Sequence, residues 1–574
     1  MSSFHLKRWN VRPPAPVEYV KRLEPIHPLV AQVLFNRGVV EPERIEAMLR
    51  GTWMMPSPFD LGGVDEGVTL LRQTLQAERP IAVYGDYDAD GVTATALLVE
   101  TLRALGGTVR FYIPSRESEG YGLNAGAIRA LAERGCRVVV TVDCGIRALD
   151  QVALANSLGM QVVITDHHHL GSALPGADVV INPRLHGSSS RFSDLAGVGV
   201  AYRLAQGLIR VNHQVPLPTT QRQIEEADLL DLVALGTIAD MVSLLDDNHT
   251  LVAKGLEQMR LARRPGMSAL MQAAGVDPDE VTTRTVAFSL APRINAAGRL
   301  DQATAALKLL LAPDITTALP LAEKVDGLNA TRRDQTRTVQ DRARDAILDA
   351  GPLDPLLFVA SSDFHPGVVG LAAGRLQEEF YRPAVVVAVD GEFCKGSARS
   401  IPEFHITRAL DAVGELLERH GGHAAAAGFT VRTSRLPELR RRLLDMAHQI
   451  LGDVTLTPSV DVDAEVDLAS LSWDLFHRLD QLKPFGCGNP APLLVSRDVS
   501  NVQARRVGRD GRHLKLLVRD REGRIWDAIA FRQGEQADTL SSRVDVAYVL
   551  ERNVWNGRVS LQLNVKDIHN GSDH

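Results

Sequence analysis

The sequence predicts a mixed α/β protein: a domain built on a parallel sheet, a smaller α/β domain joined to it by a long helix, and an all-β C-terminal domain. Short apolar runs alternate with helical patterns between about 80 and 185, which is typical of repeated βα units. A densely charged stretch at about 320–348 keeps helical periodicity, as expected of a solvated connecting helix. After about 460 the pattern changes to short strands separated by turn signals, which favours a small barrel or sandwich.

A chain of 574 residues is too long for one hydrophobic core, so several domains are expected. Its composition, 45% hydrophobic and 23% charged, is that of a soluble globular protein. The N-terminal MSSFHLKRWNVRPP lacks the apolar run of a signal peptide, and no uninterrupted apolar stretch is long enough to span a bilayer. We therefore expect a cytoplasmic enzyme without membrane association.

Charge and cysteine usage exclude some classes of protein. A formal net charge of −7 argues against a uniformly cationic nucleic-acid binder, although it permits a local basic groove. The four cysteines are scattered and include no CxxC pair, which argues against a disulfide framework and a structural zinc site. We expect reduced, mostly buried thiols at Cys136, Cys144, Cys394 and Cys487.

The first domain is predicted from strand-like runs that begin with IAVY (81–84) and continue through VRFYI, RVVVTVD, QVVITD and DVVINP, with a helix through GVTATALLVETLRALGG. Polar residues follow several of these runs directly. Since the carboxyl ends of parallel strands share one sheet edge, where ligands bind in open α/β sheets, the functional site is expected there.

The rest of the chain divides by pattern. A helical segment spans roughly 225–312, and a second α/β pattern starts near 355 with PLLFVASS and AVVVAVDGEF. That second domain is predicted to close with a helix through ALDAVGELLERH (409–420), just before GGHAAAAG. The predicted segments are an N-terminal segment, a catalytic domain, a connecting helix, a substrate-binding domain and a β-domain, with the boundaries 1–55, 56–315, 316–350, 351–455 and 456–574.

Three aspartates alternate in YGDYDADG (84–91), directly after the first predicted strand. Alternate carboxylates at a strand end can converge on a divalent cation, which offsets their mutual repulsion. A helix cap explains one aspartate well and three poorly. The stretch therefore favours a metal site formed by Asp86, Asp88 and Asp90, with Gly91 allowing a tight turn into the next helix.

Further polar groups end the following strands. Asp143 closes RVVVTVD, and Asp166, His167, His168 and His169 follow QVVIT. Carboxylate with imidazole is a ligand mixture that suits manganese and related ions. Asp240, in LGTIADMV, adds a carboxylate to an apolar helical run, although a helix-terminal aspartate explains that position equally well.

These motifs resemble a known family. GDYDADG, TVDCG, TDHH and ALGTIADMV, in this order, are similar to the four motifs of the DHH phosphoesterase superfamily. GSARS (396–400) and GGHAAAAG (421–428) resemble its associated second domain, of the DHHA1 type. With PSRESEGYGL, LAGVGVAY, RINAAGRL and HPGVVG, the resemblance extends nearly end to end to the bacterial single-strand-specific exonucleases of the superfamily, which implies a C-terminal OB-fold.

The resemblance implies roles for the clustered residues. One or two Mn²⁺ or Mg²⁺ ions would be held by Asp88, Asp90, Asp143, His167 and Asp240, with Asp143 as the bridge. Tyr84 stands where other members have a histidine ligand, and Asp86 is an extra carboxylate that can compensate directly or through water. His168 would contact the scissile phosphate, and Asp166 would orient the histidine pair. His169 receives no role.

Residues elsewhere are candidates for binding DNA. Ser397, Arg399 and His423, expected in glycine-rich turns of the second domain, are candidates for capturing a 5′ phosphate. Arg116, Arg293 and Arg299 are candidates for holding the phosphate backbone, since guanidinium binds phosphate bidentately, although a surface ion pair is an equal alternative for each.

The C-terminal domain carries a basic segment at 505–524, with eight lysines or arginines against three acidic residues. On an OB-fold this segment predicts a cationic track for single-stranded DNA. Trp526, Phe531 and Trp555 are available to stack on bases, but filling the barrel is the favoured interpretation of these aromatics.

The resemblance thus implies a monomeric 5′→3′ exonuclease that releases mononucleotides from single-stranded DNA by two-metal hydrolysis, a reaction that needs no covalent intermediate. The resemblance implies roles in recombinational, mismatch and base excision repair, with single-strand binding protein and a RecQ-type helicase as partners. Two alternatives remain: a phosphoesterase acting on cyclic dinucleotides, very short oligoribonucleotides or pyrophosphate, and an inactive DNA-binding scaffold. The intact set of motif carboxylates argues against the scaffold.

Overall fold

The structure, a computed structural model, describes residues 7–50, 55–116, 118–186 and 192–571. The first six residues, part of the stretch judged to lack a signal peptide, lie outside the described residues. The chain divides into two compact units: Arg37–Ala330 together with Asp480–Ala491 form one, and the rest of the chain forms the other. The five predicted segment boundaries stay a prediction.

The first unit is built on the predicted parallel sheet, in which every pairing between neighbouring strands is parallel. Its apolar runs are buried on both faces, as parallel sheets require. Across the sheet the strands are Val109–Tyr112, Ile81–Tyr84, Val138–Val142, Gln161–Thr165 and Val179–Ile181.

Helices cover both faces of this sheet. Helices Ala89–Ala104 and Gly197–Gln214 pack on the face to which Ile81 and Val83 point. Helices Ala125–Glu133 and Leu149–Ser157 pack on the face of Ala82 and Tyr84. Further α-helices in the described part of this unit are Pro42–Arg50, Val64–Gln76, Leu230–Ala239, Asp246–Arg260, Pro265–Ala274, Thr283–Thr285, Ala291–Leu300 and Thr304–Leu310, with a π-helical turn at Val286–Leu290.

A buried ion pair ties helix Gly197–Gln214 to helix Asp246–Arg260. Arg203 is fully buried, its guanidinium donates to the carboxylate of Asp247, and its Nη1 donates to Gln206 Oε1 at 3.0 Å. A buried charge is tolerated only when it is paired and hydrogen-bonded. The pair therefore fixes the spacing of these two helices.

The predicted connecting helix is a single helix, Ile315–Asp349, with Pro320 in its first turns. Pro320 is the sixth residue of the helix, past the first amides, so the helix lacks the backbone hydrogen bond that residue 320 would otherwise donate to Thr316 O.

The second unit contains the predicted smaller α/β fold. Its mixed sheet has the order Leu417–His423, Ala426–Arg432, Phe393–Arg399, Ala384–Asp390 and Leu357–Ser361, with only the last pair parallel among the described strands. The helices of this fold are Val369–Phe380, Ile406–Asp411 and Leu436–Leu451.

The prediction of a helix through 409–420 is wrong. The helix there spans Ile406–Asp411, and Leu417–His423 forms a strand that pairs antiparallel with Ala426–Arg432. The spacing of the leucines and valine in ALDAVGELL imitates a helical face, but the backbone groups of 417–423 find partners in the neighbouring strand. Tertiary pairing overrides the local pattern here.

The C-terminal region forms the predicted small barrel. Strand Leu494–Val507 pairs both with His513–Arg519 and with Arg543–Trp555, and this second pairing closes the sheet on itself. The other barrel strands are Ala464–Glu465, Ile525–Ala530 and Arg558–Asn570. Outside the barrel, strand Arg8–Val11 pairs parallel with Ser459–Val462, and helices Val17–Arg22, Pro28–Asn36 and Trp473–Asp480 also belong to the unit.

Among the described residues, no helix combines the length and apolarity needed to cross a membrane.

The Arg203–Asp247 pair gives a stability prediction. Asp247→Ala leaves a buried guanidinium without its counter-ion and should destabilise the protein by about 3–5 kcal/mol, measured as a lowered unfolding temperature of the full chain in calorimetry. The double variant Arg203→Met/Asp247→Leu, which removes both charges, should recover most of the loss. An unchanged unfolding temperature in Asp247→Ala would show that the pair does not fix the two helices.

Candidate metal centre and phosphate-binding surfaces

The aspartates after strand Ile81–Tyr84 lie at the carboxyl edge of the sheet, as predicted. Asp86 is 3% exposed and Asp90 is 1% exposed, whereas Asp88 caps helix Ala89–Ala104 by accepting a hydrogen bond from Gly91 N at 3.0 Å. Gly91 lies inside the first turn of that helix and does not form the predicted tight turn. A Cβ on Gly91 would lie 2.7 Å from Asp86 Cα, so the glycine lets the Asp86 backbone pack against the helix.

The Asp90 carboxylate is held by the start of a second helix. Gly197 N donates to Asp90 Oδ2 at 2.6 Å, and Val198 N donates to Asp90 Oδ1 at 2.8 Å. These amides belong to the first turn of Gly197–Gln214, where backbone donors lack intrahelical acceptors and favour an anion. Asp90 is therefore fixed in place before any ion binds.

Asp143 follows strand Val138–Val142 in a strained conformation. Its φ of +60° lies in the left-handed region, which non-glycine residues occupy at a cost of about 1 kcal/mol or more. Gly197 lies against it so closely that a Cβ there would be 2.6 Å from Asp143 Cβ. One glycine thus serves both Asp90, through its amide, and Asp143, through its missing side chain.

Two consecutive histidines have different partners. His167 Nε2 lies 3.1 Å from Asp143 Oδ1, 3.7 Å from Asp240 Oδ2 and 3.9 Å from Asp90 Oδ2. The ring of His168 turns instead to Asp166, whose Oδ1 is 2.8 Å from His168 Nδ1 and also accepts from His168 N at 3.0 Å. Asp166 therefore orients His168 directly, and Nε2 is the ring nitrogen of His168 left for another partner.

Asp240 joins this cluster from a different element. It follows helix Leu230–Ala239 and its amide still donates to Gly236 O at 2.9 Å, so it caps the carboxyl end of that helix. Its side chain is 25% exposed, more than those of Asp90 and Asp143. The predicted helix-terminal position is correct, and the structure also brings this carboxylate to the sheet edge.

The predicted residues form overlapping groups that suit metal binding. Within each group, one ligand atom per residue lies within 4.8 Å of the others: Asp86, Asp88 and Asp143; Asp90, His167 and Asp240; and Asp143, His167 and His168. Asp86 Oδ1, Asp143 Oδ1 and His167 Nε2 are buried without a hydrogen-bond partner among the described residues. Buried polar atoms of this kind are costly unless paired, so their donor chemistry fits a divalent cation such as Mn²⁺ or Mg²⁺.

The pKa shifts follow from the same crowding. Burial, reinforced by the charges of neighbouring aspartates, raises the pKa of Asp86, Asp90 and Asp143 well above the ordinary range, and it raises that of Asp240 to about 7. Two like charges about 4 Å apart repel by roughly 4 kcal/mol at the effective dielectric of a protein surface. Without a cation, the cluster therefore retains protons.

The pKa values of the two histidines are shifted in opposite directions. Burial, and then the neighbouring His168, lowers the pKa of His167 to about 4, which keeps this imidazole neutral and able to bind a metal. Burial opposes protonation of His168 too, but its hydrogen bond to Asp166 and the charge of that carboxylate outweigh burial and raise its pKa. The same contact outweighs burial to lower the pKa of Asp166.

Tyr84, which replaces the histidine of other superfamily members, does not point to the cluster. Its ring is fully buried, its hydroxyl donates to Gly122 O at 3.1 Å, and the hydroxyl accepts from Asn124 N at 3.1 Å. Tyr84 is thus a packing residue, and Asp86 is the additional polar side chain at this place in the cluster.

The three candidate arginines of this unit have different surroundings. The Arg116 guanidinium lies 5.2 Å from the centroid of the Tyr87 ring, and its charge acts on the pKa of Asp86. Arg299 also lies close enough to Tyr87 to act on that residue's pKa. Arg293 forms an ion pair with Asp326 at 2.8 Å and is 12% exposed, as in the ion-pair alternative.

Several residues of the site had no predicted role. The Tyr121 hydroxyl donates to Asp143 O at 3.1 Å and lies 3.1 Å from His168 Nδ1. Asn182 Nδ2 donates to His168 O at 3.1 Å, and Asn295 Oδ1 accepts from Ala89 N at 2.9 Å. Tyr121 and Asn295 lie inside motifs noted in the sequence, but a motif does not say which backbone group a side chain will meet.

The candidate phosphate residues of the second unit lie on strands, so their predicted placement in turns is wrong. Ser397 and Arg399 belong to Phe393–Arg399 and His423 to Leu417–His423, and Ala426 of the intervening strand pairs with both Arg399 and His423. Gly396 gives space to a side chain, since a Cβ there would lie 2.1 Å from Phe429 Cζ.

A helix start completes this surface. Gly370 lies in the first turn of Val369–Phe380, and a Cβ built on it would be 3.2 Å from Ser397 Oγ and 3.6 Å from Arg399 Nη2. Helix amides, a hydroxyl and a guanidinium are thereby brought together, and this combination suits a phosphate group.

On the barrel, several basic side chains of the segment 505–524 form ion pairs with acidic residues. Arg506 pairs with Asp538, Arg512 with Asp510 and Lys515 with Asp527. By contrast, Arg505, Arg509 and Arg519 are exposed and have no ion pair within the described part of the chain.

The three barrel aromatics separate by burial. Trp526 is 6% exposed and donates from Nε1 to Asp520 Oδ2 at 3.2 Å, as the barrel-filling interpretation expects. Phe531 and Trp555 are 54% and 73% exposed, so that interpretation is wrong for them.

The predicted burial of the cysteines is correct for Cys136, Cys144 and Cys394, whereas Cys487 is exposed.

Family models match three parts of the chain: the N-terminal domain of the DHH family at residues 80–237, the DHHA1 domain at 354–453 and the RecJ OB domain at 462–567. The single-stranded-DNA-specific exonuclease RecJ of Bacillus subtilis is 36% identical over 567 residues, which cover 98% of this chain and 70% of that relative. The protein of the same name from Escherichia coli is 34% identical, over 94% of this chain and 96% of the relative.

Solved structures agree with these matches. The crystal structure of RecJ from Thermus thermophilus in complex with Mn²⁺ superposes with a TM-score of 0.83 at 31% identity and covers 98% of this chain and 80% of that chain. The Mg²⁺ complex of the same protein gives a TM-score of 0.78 at 30% identity, covering 98% of this chain and 79% of that one.

The carboxylate cluster predicts how stability changes with pH when no metal is bound. The pKa of Asp240 is about 7 in the folded chain, against about 4 for an ordinary aspartate, so between these values the folded form holds a proton that the unfolded form has released. The unfolding temperature of metal-free protein should therefore fall as pH rises through this window, and Asp240→Asn should lessen the fall. Thermal unfolding at several pH values tests this; identical profiles for both proteins would contradict it.

Proposed function

The chain belongs to the RecJ family, and from that premise we propose that it is a metal-dependent exonuclease specific for single-stranded DNA, which it degrades from 5′ to 3′ into mononucleotides. The observation that carries the proposal is the cluster of buried carboxylate and imidazole atoms without partners at the sheet edge. Such a cluster suits hydrolysis of a phosphodiester, in which negative charge accumulates on phosphoryl oxygens.

Two groups of side chains would hold a pair of Mn²⁺ or Mg²⁺ ions: Asp86, Asp88 and Asp143 in one, and Asp90, His167 and Asp240 in the other. Bound ions of this kind lower the pKa of a coordinated water and stabilise charge on the attacking and leaving oxygens. Asp143 Oδ1 lies 3.1 Å from His167 Nε2 of the second group, which supports its role as the bridge.

The protein side chains have the tasks of holding and orienting. Asp166 fixes the ring of His168 through Nδ1, so Nε2 is available to donate to a phosphate oxygen. The raised pKa of His168 favours the protonated, donating form of the imidazole. No serine or cysteine nucleophile is assigned, because hydrolysis by activated water needs none.

Recognition of a 5′ end is assigned to the second unit. Ser397, Arg399 and the helix start at Gly370 provide donors of three kinds within a few ångströms of one another. His423 lies beside them, because His423 and Arg399 both pair with Ala426 of the strand between them. A terminal phosphate carries more charge than an internal one and gains more from such donors. Arg116 and Arg299 are proposed to hold the phosphate backbone, and Arg293 remains a candidate despite its pairing with Asp326.

The surface of the barrel favours the proposal of a long polymeric substrate over that of a dinucleotide. Exposed Arg505, Arg509 and Arg519 provide cationic contacts, and the exposed rings of Phe531 and Trp555 are available for stacking. By family resemblance alone, we further propose a monomeric cytoplasmic enzyme of recombinational, mismatch and base excision repair, with single-strand binding protein and a RecQ-type helicase as partners. Co-purification from reconstituted mixtures tests those partners.

End-labelled digestion tests the proposal. Single-stranded DNA labelled at its 5′ or its 3′ end is incubated with the full chain in Mn²⁺ or Mg²⁺, beside a matched duplex and a dinucleotide. Immediate release of the 5′ label as a mononucleotide, with the duplex intact, is expected. Release of the 3′ label first would overturn the polarity, and faster hydrolysis of the dinucleotide would overturn the choice of substrate.

Asp143→Ala removes the proposed bridge. Cleavage of single-stranded DNA in Mn²⁺ should fall by roughly 10³-fold or more, since electrostatic stabilisation of the transition state is lost. Binding of the strand, measured by fluorescence anisotropy, should change little because the binding surfaces remain. Cleavage at the wild-type rate would show that Asp143 does not bridge.

Arg399→Ala tests capture of the 5′ phosphate. A charge-assisted hydrogen bond is worth about 1.5–3 kcal/mol, so kcat/KM on 5′-phosphorylated strands should fall about 10–100-fold, and the fall on 5′-hydroxyl strands should be smaller. Arg435→Ala, on the short helical turn that follows strand Ala426–Arg432 in the same unit, serves as a control. An equal fall on both kinds of end would remove Arg399 from end recognition.

A further inference from the structure

The segment Asp480–Ala491, which we call the strap, belongs to the compact unit of the metal cluster, although the residues on both sides of it belong to the other unit. Its sequence, DQLKPFGCGNPA, matches none of the DHH motifs. The strap packs on the loop 241–245, which directly follows Asp240. Its position therefore links it to one of the proposed metal ligands.

Contact between the strap and this loop is close at two places. Leu244 N donates to Cys487 O at 2.7 Å, and Leu244 is a buried member of the core. A Cβ on Gly488 would lie 2.3 Å from Ser243 Oγ and 3.0 Å from Ser243 Cβ. The strap backbone thus occupies the space beside the loop so fully that no side chain fits at Gly488.

The loop needs support from outside. It starts at the end of helix Leu230–Ala239, and Met241 adopts a left-handed φ of +61° while its side chain is 73% exposed. Such a conformation costs about 1 kcal/mol or more and persists only where surrounding contacts determine it. Besides the strap, Asn248 holds the loop by donating to Ser243 O at 2.9 Å.

The strap has its own internal order. Asn489 is fully buried, and its Nδ2 donates to Leu482 O at 2.8 Å and to Pro484 O at 3.0 Å. Its backbone oxygen accepts from Gly486 N at 2.8 Å. These bonds close the strap into a compact turn.

The strap also contacts a second wall of the site. Thr283 Oγ1 donates to Phe485 O at 2.6 Å, and Thr283 begins the helical run that leads to Ala291–Leu300. Asn295 of that run accepts from Ala89 N, between the ligand candidates Asp88 and Asp90. The strap therefore contacts both the loop 241–245, which follows Asp240, and the helical run from Thr283, which reaches the metal cluster through Asn295.

We propose that the strap is a positioning element of the metal centre, which holds Asp240 in place through the loop 241–245. Since Asp240 belongs to the group with Asp90 and His167, and no member of the group of Asp86, Asp88 and Asp143 adjoins the loop, the strap acts chiefly on one of the two ion sites. The inference rests on the proposed metal-dependent function and adds to it a determinant outside the DHH motifs.

Gly488→Ala tests the proposal, because it adds a methyl group directly against Ser243. Gly275→Ala is the matched control: both glycines have left-handed φ angles, +70° and +64°, but a Cβ on Gly275 meets nothing within 4 Å. Asn489→Ala, which removes the strap's internal donors, is the second variant. Binding of Mn²⁺ to each full chain is measured by titration with electron paramagnetic resonance detection of free Mn²⁺, together with the unfolding temperature.

We expect Gly488→Ala and Asn489→Ala to bind one Mn²⁺ as tightly as the wild type and a second about 10–100-fold more weakly, the usual effect of losing support behind a metal ligand. Gly275→Ala should bind both ions normally. Cleavage by the two strap variants should recover at high Mn²⁺ concentration, which a merely unfolded protein cannot do.

Unchanged binding of both ions in the two strap variants would overturn the proposal, as would equal weakening of both sites. If the wild type binds two Mn²⁺ ions and the strap variants lose one, but the wild type does not degrade single-stranded DNA, the strap proposal stands and the proposed function fails. Failure of the wild type to bind Mn²⁺ would overturn both.

Discussion

The mutual repulsion of carboxylates gathered at one edge of a buried parallel sheet is the constraint on which the rest of this structure depends. Asp86, Asp90 and Asp143 are almost completely buried, and burial together with neighbouring charge raises the pKa of each. Crowding of this kind destabilises a fold unless a cation or protons compensate it. The site is therefore arranged for charge that arrives with an ion, and not for stability without one.

Several local features of the fold are explained by this constraint. Gly197 gives its amide to Asp90 and, by lacking a side chain, makes room for Asp143 in its strained conformation. Gly91 makes room for the backbone of Asp86 in the same way. Backbone donors and missing side chains, more than ion pairs, hold the carboxylates in place. That arrangement leaves the carboxylate oxygens facing one another and available to metal ions.

The sequence allowed the sheet and its ligand edge to be predicted, because alternation of apolar runs with helices and the place of acidic residues after strands are local patterns. It did not predict that Arg293 would meet Asp326, that Gly488 would lie against Ser243, or that Leu417–His423 would be a strand. Each of these depends on residues that are distant in sequence or on a neighbouring strand. Tyr84 illustrates the limit well: the motif shows a histidine replaced, and only the fold shows its hydroxyl bonded to the backbone at Gly122 and Asn124.

The most direct test of the account is anomalous diffraction at the manganese edge from crystals of the full chain grown with Mn²⁺. Two peaks are predicted at the carboxyl edge of the parallel sheet. One should lie within coordination distance of Asp86, Asp88 and Asp143, the other within that distance of Asp90, His167 and Asp240, and Asp143 should contact both. A cluster without a peak, or ions bound only elsewhere, would contradict the claim that the buried carboxylates exist to hold a pair of metal ions.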